Sequence, residues 1–154
     1  MRGFDQSLPM ALLKAREAAM SRFRPLMADH DLTEQQWRVL RALAAVDDPI
    51  DVGELVDRTV LLGPSLSRIL VNLDHRGLID RTVAAHDQRR TLVSLTALGE
   101  SLVSRVAPHS EEAYHQIETA YGTDRLHRLL GELSALETAL ATPPSPTRST
   151  EGTP

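Results

Sequence analysis

A chain of 154 residues, 42% apolar and 25% charged, suffices for one domain with a real core plus helical extensions, and is too short for two large domains and too apolar to be disordered throughout. It contains no cysteine, which excludes disulfides, thiol redox chemistry, a cysteine nucleophile and a Cys-type zinc site, and makes a reducing cytoplasm the expected home. A net charge of −4 argues against a nucleic-acid partner until its distribution is read: residues 58–90 hold six arginines against three aspartates, while both flanks are acidic.

The opening MRGFDQSL lacks the apolar core of a signal peptide, and Lys14, Arg16 and Glu17 interrupt the next apolar stretch, so neither a leader nor a membrane span is expected. Leu8 to about Ala28 reads as a helix, with Leu8, Leu12, Ala15, Ala19 and Leu26 on one stripe and a kink expected at Pro25. A second helix starts after Thr33, with Gln36 at capping-box spacing and Trp37, Leu40 and Ala44 as its apolar stripe. DDPID, residues 47–51, is a turn or short strand. A short helix from Val52 to about Val60 follows, with Val52, Leu55 and Val56 inward.

Gly63-Pro64-Ser65 turns into a helix whose apolar face is Leu66, Ile69, Leu70 and Leu73 and which Gly77 ends. Two short helices around such a turn outline a helix-turn-helix. Leu78–Val83 and Thr91–Leu95 are β-rich runs joined by the polar tip AAHDQRR, a hairpin that forms a wing directly after the second helix. Thr96 caps a further helix through Leu98, Leu102, Val103 and Val106, which Pro108 is expected to bend or break. From about Asp124 to Ala141, Leu126, Leu133 and Leu140 recur at heptad spacing with Leu129 and Leu136 between them. This is either an intramolecular packing face or, as few helices remain to cover it, a dimer seam. TPPSPTRSTEGTP, residues 142–154, has the composition of a disordered tail.

With its leucines inward, the Gly63 helix leaves Ser65, Ser67, Arg68 and Asn72 outward. Arg and Asn can bond base edges bidentately in a major groove, and Arg68 is the leading candidate for base readout. Arg58, Arg76 and Arg81 flank this surface as phosphate contacts or plain solvated charges. Arg89 or Arg90 at the wing tip can enter the narrow, negative minor groove, with Asp87 placed to hold an arginine there.

TEQQWRVLRAL (33–43), GELVDRT (53–59), PSLSRILVNLDHRGLIDR (64–81), HDQRR (86–90) and VSLTALGESL (93–102) together resemble the MarR family of winged-helix transcription regulators, over about residues 8–141. SLPMALLKAREAAMSRFRP, joined to TEQQWRVLRAL, is similar to the branch that regulates aromatic-acid catabolism, the homoprotocatechuate and protocatechuate regulators. The resemblance implies a mainly α fold with a small β-hairpin wing. Its parts are an N-terminal dimerisation helix (1–32), a winged helix-turn-helix (33–96), C-terminal dimerisation helices (97–141) and the tail (142–154). It further implies an obligate homodimer on a pseudo-palindromic double-stranded DNA operator, repressing until a small aromatic acid binds. The reading helix departs from the family's more usual Thr-Arg pattern by carrying Ser67-Arg68 and Asn72, so no operator sequence carries over.

Arg16 stands among Leu12, Met20 and Phe23 on one helical face, where a guanidinium is costly without an acceptor. Either it pairs with an acid near Glu17 or with Asp51 or snorkels to solvent, or it clamps the carboxylate of an aromatic effector between Met20 and Trp37; the resemblance favours the clamp. No phosphate loop, nucleophile elbow or H-E-x-x-H pattern points to an enzyme, and no cofactor is implied. His30, His109 and His115 leave metal sensing as a minor alternative, without the spacing of a helical zinc site.

Overall fold

The computed structural model describes residues 3–84 and 87–141, the side chain of Asp5 excepted. The expected tail and the tip residues Ala85 and His86 lie outside the described residues. Six α-helices and three strands follow in the order α1 (Leu8–Ala28), α2 (Glu34–Ala44), β1 (Ile50–Asp51), α3 (Val52–Thr59), α4 (Gly63–His75), β2 (Ile79–Ala84), β3 (Asp87–Leu95), α5 (Ala97–Tyr121) and α6 (Thr123–Ala141), after a single 3-10 turn at Phe4–Gln6. This is a mainly α chain carrying a small antiparallel wing. The chain divides into two units, Met1–Tyr114 and His115–Pro154.

Local signals set most boundaries in the first unit. Thr33 caps α2 by accepting from the Gln36 N–H, while the Gln36 side chain accepts from the Thr33 N–H, which satisfies two otherwise orphaned donors. Asp51 caps α3 by accepting from the Gly53 N–H at 2.7 Å. At the end of α4, Gly77 adopts φ +66°, its N–H bonds the Asp74 carbonyl, and the Leu78 N–H reaches the Leu73 carbonyl, a Schellman closure.

The sheet order is β1-β3-β2. Ile50 pairs with Val93 on one side of β3, and Ile79 to Val83 pair with Leu95 to Thr91 on the other. Leu40, Leu55, Leu66, Leu70, Leu73, Ile79 and Val93 are almost wholly excluded from solvent, so α2, α3, α4 and the inner end of the sheet share one core. Thr96 closes the wing: its hydroxyl donates to the Gly77 carbonyl at 2.6 Å and accepts from the Gly99 N–H, and its own N–H reaches the Leu78 carbonyl.

Three expectations change. On α2, Val39 and Leu43 are buried with Trp37 and Leu40, whereas Ala44 is exposed, because core lies on both sides of the Leu40 line. Leu98 is exposed on α5 while Leu102 and Val106 are buried. Pro108 does not break α5, which runs 25 residues through it. Proline removes one N–H, and the buried Val106, Ser110 and Ala113 around it hold the helical path. Pro25 likewise lies inside α1, two residues before the buried Met27.

In the second unit, Gly122 at φ +98° turns α5 into α6, its N–H bonding the Glu118 carbonyl. The α6 helix buries none of its residues; Leu129, Leu133 and Leu140 are exposed. On α1, Leu8, Leu12 and Leu13 are also exposed. No helix among the described residues is long and apolar enough to cross a membrane.

A Cβ at Gly99 would lie 2.0 Å from the Leu78 carbonyl oxygen, a backbone atom that cannot move without opening the wing. Gly99→Ala is therefore expected to cost at least the ~1–3 kcal/mol of core overpacking, read as a fall in the midpoint of thermal unfolding. A melting curve equal to the parent's would overturn this account of the junction.

Candidate nucleic-acid interface and effector cavity

The burial of Leu66, Leu70 and Leu73, at i, i+4 and i+7 on α4, turns the opposite arc of that helix outward. Ser65, Ser67, Arg68 and Asn72 are all exposed on it, as the sequence predicts. Arg68 has no ion-pair partner among the described residues. The Asn72 carboxamide oxygen accepts a 2.7 Å bond from Gln36 Nε2, so its hydrogen-bonding edge is oriented from α2. Val71, 58% exposed beside Arg68 and Asn72, belongs to the same arc and is absent from the outward set read from the sequence. The helical wheel already places it outward.

The flanking arginines separate into two kinds. Arg81 is exposed on β2. Arg58 pairs with Glu54 at 2.8 Å and lines the cavity described below, and Arg76 Nη1 donates to the Asp31 carbonyl at 2.9 Å, tying the end of α4 to the turn between α1 and α2. These two are engaged within the fold, which the expectation of phosphate contacts did not foresee.

The wing also differs from the expected tip. Asp87, Arg89 and Arg90 lie in β3, where the register shifts between Val83, opposite Thr91, and Ala84, opposite Asp87. This bulge accommodates Gln88, Arg89 and Arg90. Asp87 does not hold a guanidinium: its Oδ1 accepts from the backbone N–H of Arg89, ordering the turn of the chain instead. Arg90 is held by Asp51, Nε to Oδ2 at 3.0 Å, an acid 39 residues away in the neighbouring strand. Arg89 is exposed and has no ion-pair partner among the described residues. Asp51 thus caps α3 and tethers the wing at once, and the Arg90 guanidinium, followed by the Gly53 N–H, holds its carboxyl below the ordinary carboxylate value.

A cavity of about 340 Å³ opens among α1, α2, Arg58 of α3 and Tyr114 of α5. Met20, Phe23, Met27, Trp37 and Ala42 supply apolar wall, and Tyr114 closes it with its ring edge-on to Phe23 at 5.0 Å. Its charged groups are Glu34, Arg38, Arg41 and Arg58. Glu34 accepts from Arg38 Nη2 at 2.7 Å and is also ion-paired with Arg16, so one acid is shared by two cations. Arg41 has no carboxylate partner among the described residues; its Nη1 lies 3.5 Å from the Tyr114 hydroxyl, at the limit of hydrogen-bond reach. The cavity therefore carries uncompensated positive charge beside an apolar wall.

Met20 and Trp37 line this cavity, as expected. Arg16 does not stand with them as a clamp: it is exposed, paired with Glu17 and Glu34, and meets the cavity only through Glu34. Its partner is not Asp51, which Arg90 occupies. Arg41 and Tyr114 were missed. Arg41 carried a legible signal, since it stands four residues after Trp37 on the same helical arc, whereas Tyr114 is 73 residues further on and only folding brings it there. His30 and His109 approach with ring centroids 5.7 Å apart, and among the described residues no group of three His, Cys, Asp or Glu is placed to hold a metal.

The MarR family profile matches residues 30–90, from the turn before α2 into β3. The homoprotocatechuate degradative operon repressor of Escherichia coli is 45% identical over 123 residues, 80% of this chain and 82% of that protein. Among solved structures, NadR in complex with 4-hydroxyphenylacetate superposes with a TM-score of 0.76 at 35% identity, over 88% of this chain and 96% of that one. The repressor CouR bound to a 23-mer DNA duplex gives 0.78 at 25% identity, over 86% and 94%.

Because its carboxyl is held low in the folded chain, Asp51 keeps the wing tether intact above the ordinary carboxylate range and loses it only as pH falls through the lowered value. Carbon-detected titration of the Asp51 carboxyl is expected to show a midpoint below that of a free aspartate, rising towards it in Arg90→Gln. An unchanged midpoint in the variant would remove Arg90 as the cause.

Proposed function

Because the chain belongs to the MarR family and is a winged-helix transcriptional repressor related to regulators that answer aromatic acids, we propose that it acts as a homodimer on a pseudo-palindromic operator and is released by a small phenolic carboxylic acid of the protocatechuate or homoprotocatechuate type. The observation that carries the effector reading is the Arg41 guanidinium, without a carboxylate of its own, at an apolar cavity walled by Trp37, Met20 and Phe23. A cation in such surroundings favours an anion that brings its own apolar body. The cavity's 340 Å³ falls within the range of small-molecule sites, about 300–1,000 Å³. In this reading Arg41 takes the carboxylate, the ring lies against Trp37, and Glu34 and Tyr114 offer polar partners to ring hydroxyls. Arg16 serves by holding Glu34 in place.

On the DNA side, α4 enters the major groove with Arg68 and Asn72 reading base edges, Val71 beside them for a thymine methyl, and Ser65 and Ser67 for base edges or phosphate. Arg89 on the wing reaches the minor groove, while the paired Arg90 fixes the wing's angle. One lobe reads few base pairs, whereas two heads about 34 Å apart read successive major-groove faces. The uncovered leucines of α1 and of α6 support dimerisation, since apolar rows of that kind are stable in water when a second copy buries them.

Isothermal titration with homoprotocatechuate, protocatechuate and 4-hydroxyphenylacetate is expected to find a binder, and Arg41→Ala to weaken it by about 10–150-fold, the weight of a charge-assisted pair. Undiminished affinity in that variant would sink the proposed clamp. In mobility shifts on the DNA upstream of its own gene, Arg68→Ala is expected to lose about 1–3 kcal/mol and to relax sequence preference. Retention of both affinity and preference would remove α4 as the reading element.

A further inference from the structure

Arg38 links the effector cavity to the turn that aims the reading helix. Its guanidinium lines the cavity and divides its donors: Nη2 bonds Glu34 at 2.7 Å, and Nη1 donates at 3.0 Å to the carbonyl of Thr59, the last residue of α3. That carbonyl belongs to the orphaned, partially negative end of a helix, where a cation is the natural partner. The next residue, Val60, is left-handed at φ +53° and 84% exposed. A β-branched side chain is a poor occupant of that region, and almost nothing packs on Val60 to compel it. The backbone there is held by the Val60 N–H to the Val56 carbonyl and by Arg38 on Thr59, and α4 begins three residues later at Gly63.

We propose that Arg38 is the positioning residue through which the cavity controls α4: an effector carboxylate draws its guanidinium away from the Thr59 carbonyl, frees the strained turn at Val60, and loosens the start of the reading helix. The proposal rests on the cavity being the effector site. A carboxylate competes well for this guanidinium because Glu34, its present acid, is already shared with Arg16. Gln36, two residues earlier on α2, holds Asn72 further along α4, so release at the turn tilts α4 about a retained contact instead of detaching it.

The test uses the full-length protein, 4-hydroxyphenylacetate as probe, and the DNA upstream of its own gene. Hydrogen exchange of the wild type is expected to speed up at the backbone amides of residues 59–62 when the probe is added and to stay constant at the backbone amides around Asn72. In Arg38→Gln the probe should bind more weakly but still occupy the cavity through Arg41 at saturating concentration, where its effect on DNA affinity, about 5–150-fold for a coupled regulator, shrinks to less than about twofold. Probe-free DNA affinity should fall in Arg38→Gln and recover in Arg38→Gln/Val60→Gly, since glycine adopts the left-handed turn without being held. Unchanged exchange at 59–62 in a probe-bound wild type, or full coupling in Arg38→Gln, overturns the proposal. Absence of probe binding to the wild type would defeat the effector reading instead, and the double variant then decides alone: failure to recover counts against Arg38 as the holder of the turn.

Discussion

The approach of Gly99 to the Leu78 carbonyl is the constraint on which the functional geometry rests. At this point α4 ends, β2 begins, β3 ends and α5 begins, and Thr96 joins them with bonds to Gly77, Leu78 and Gly99. No side chain larger than hydrogen fits between the two backbones. The reading helix and the wing thereby share one rigid root, so the angle between them is set by backbone contacts and not by the exposed residues that would touch DNA. Those outer residues are free to vary in chemistry without disturbing the frame.

The second organising element is α2. Its buried row, Trp37, Val39, Leu40 and Leu43, joins the core, and its polar positions reach in different directions: Glu34, Arg38 and Arg41 to the cavity, Gln36 to Asn72, Arg38 to the end of α3. An eleven-residue helix can serve this many partners because capping-box bonds fix its first turn, which leaves little play between its faces. The cavity wall and the contact that orients Asn72 are thus mounted on one short helix.

What was legible in the sequence is what local chemistry decides. Thr33 with Gln36, Gly77, Thr96 and the leucines of α4 announce helix limits and faces through interactions within a few residues, and each stands where its spacing puts it. The winged outline follows from them. Long-range pairing was not legible. Arg90 finds Asp51 across 39 residues and Arg41 finds Tyr114 across 73, and nothing in the neighbouring letters distinguishes Asp51 from Asp87 as the partner of a wing arginine. Arg16 drew attention by standing in an apolar stripe, yet only the Met20 and Phe23 end of that stripe packs into the fold while Arg16 and Leu12 are exposed, so the guanidinium meets solvent and acids and not a pocket. At Pro108 the letters allow either a bend or a break, and α5 runs on through it, with Val106, Ser110 and Ala113 buried around it.

The internal engagement of Arg58, Arg76 and Arg90 bears on how this surface senses its ionic surroundings. Of the six arginines between residues 58 and 90, Arg68, Arg81 and Arg89 are exposed without an ion pair among the described residues, and in the proposed complex these three would be the first to displace condensed cations from a duplex. With roughly 0.9 logarithmic unit of salt dependence per neutralised phosphate, each subunit of the proposed dimer would then contribute about half the slope that its arginine content suggests. The acidic flanks add nothing to it. In the proposed complex the duplex would be held through shape and base edges more than through bulk charge.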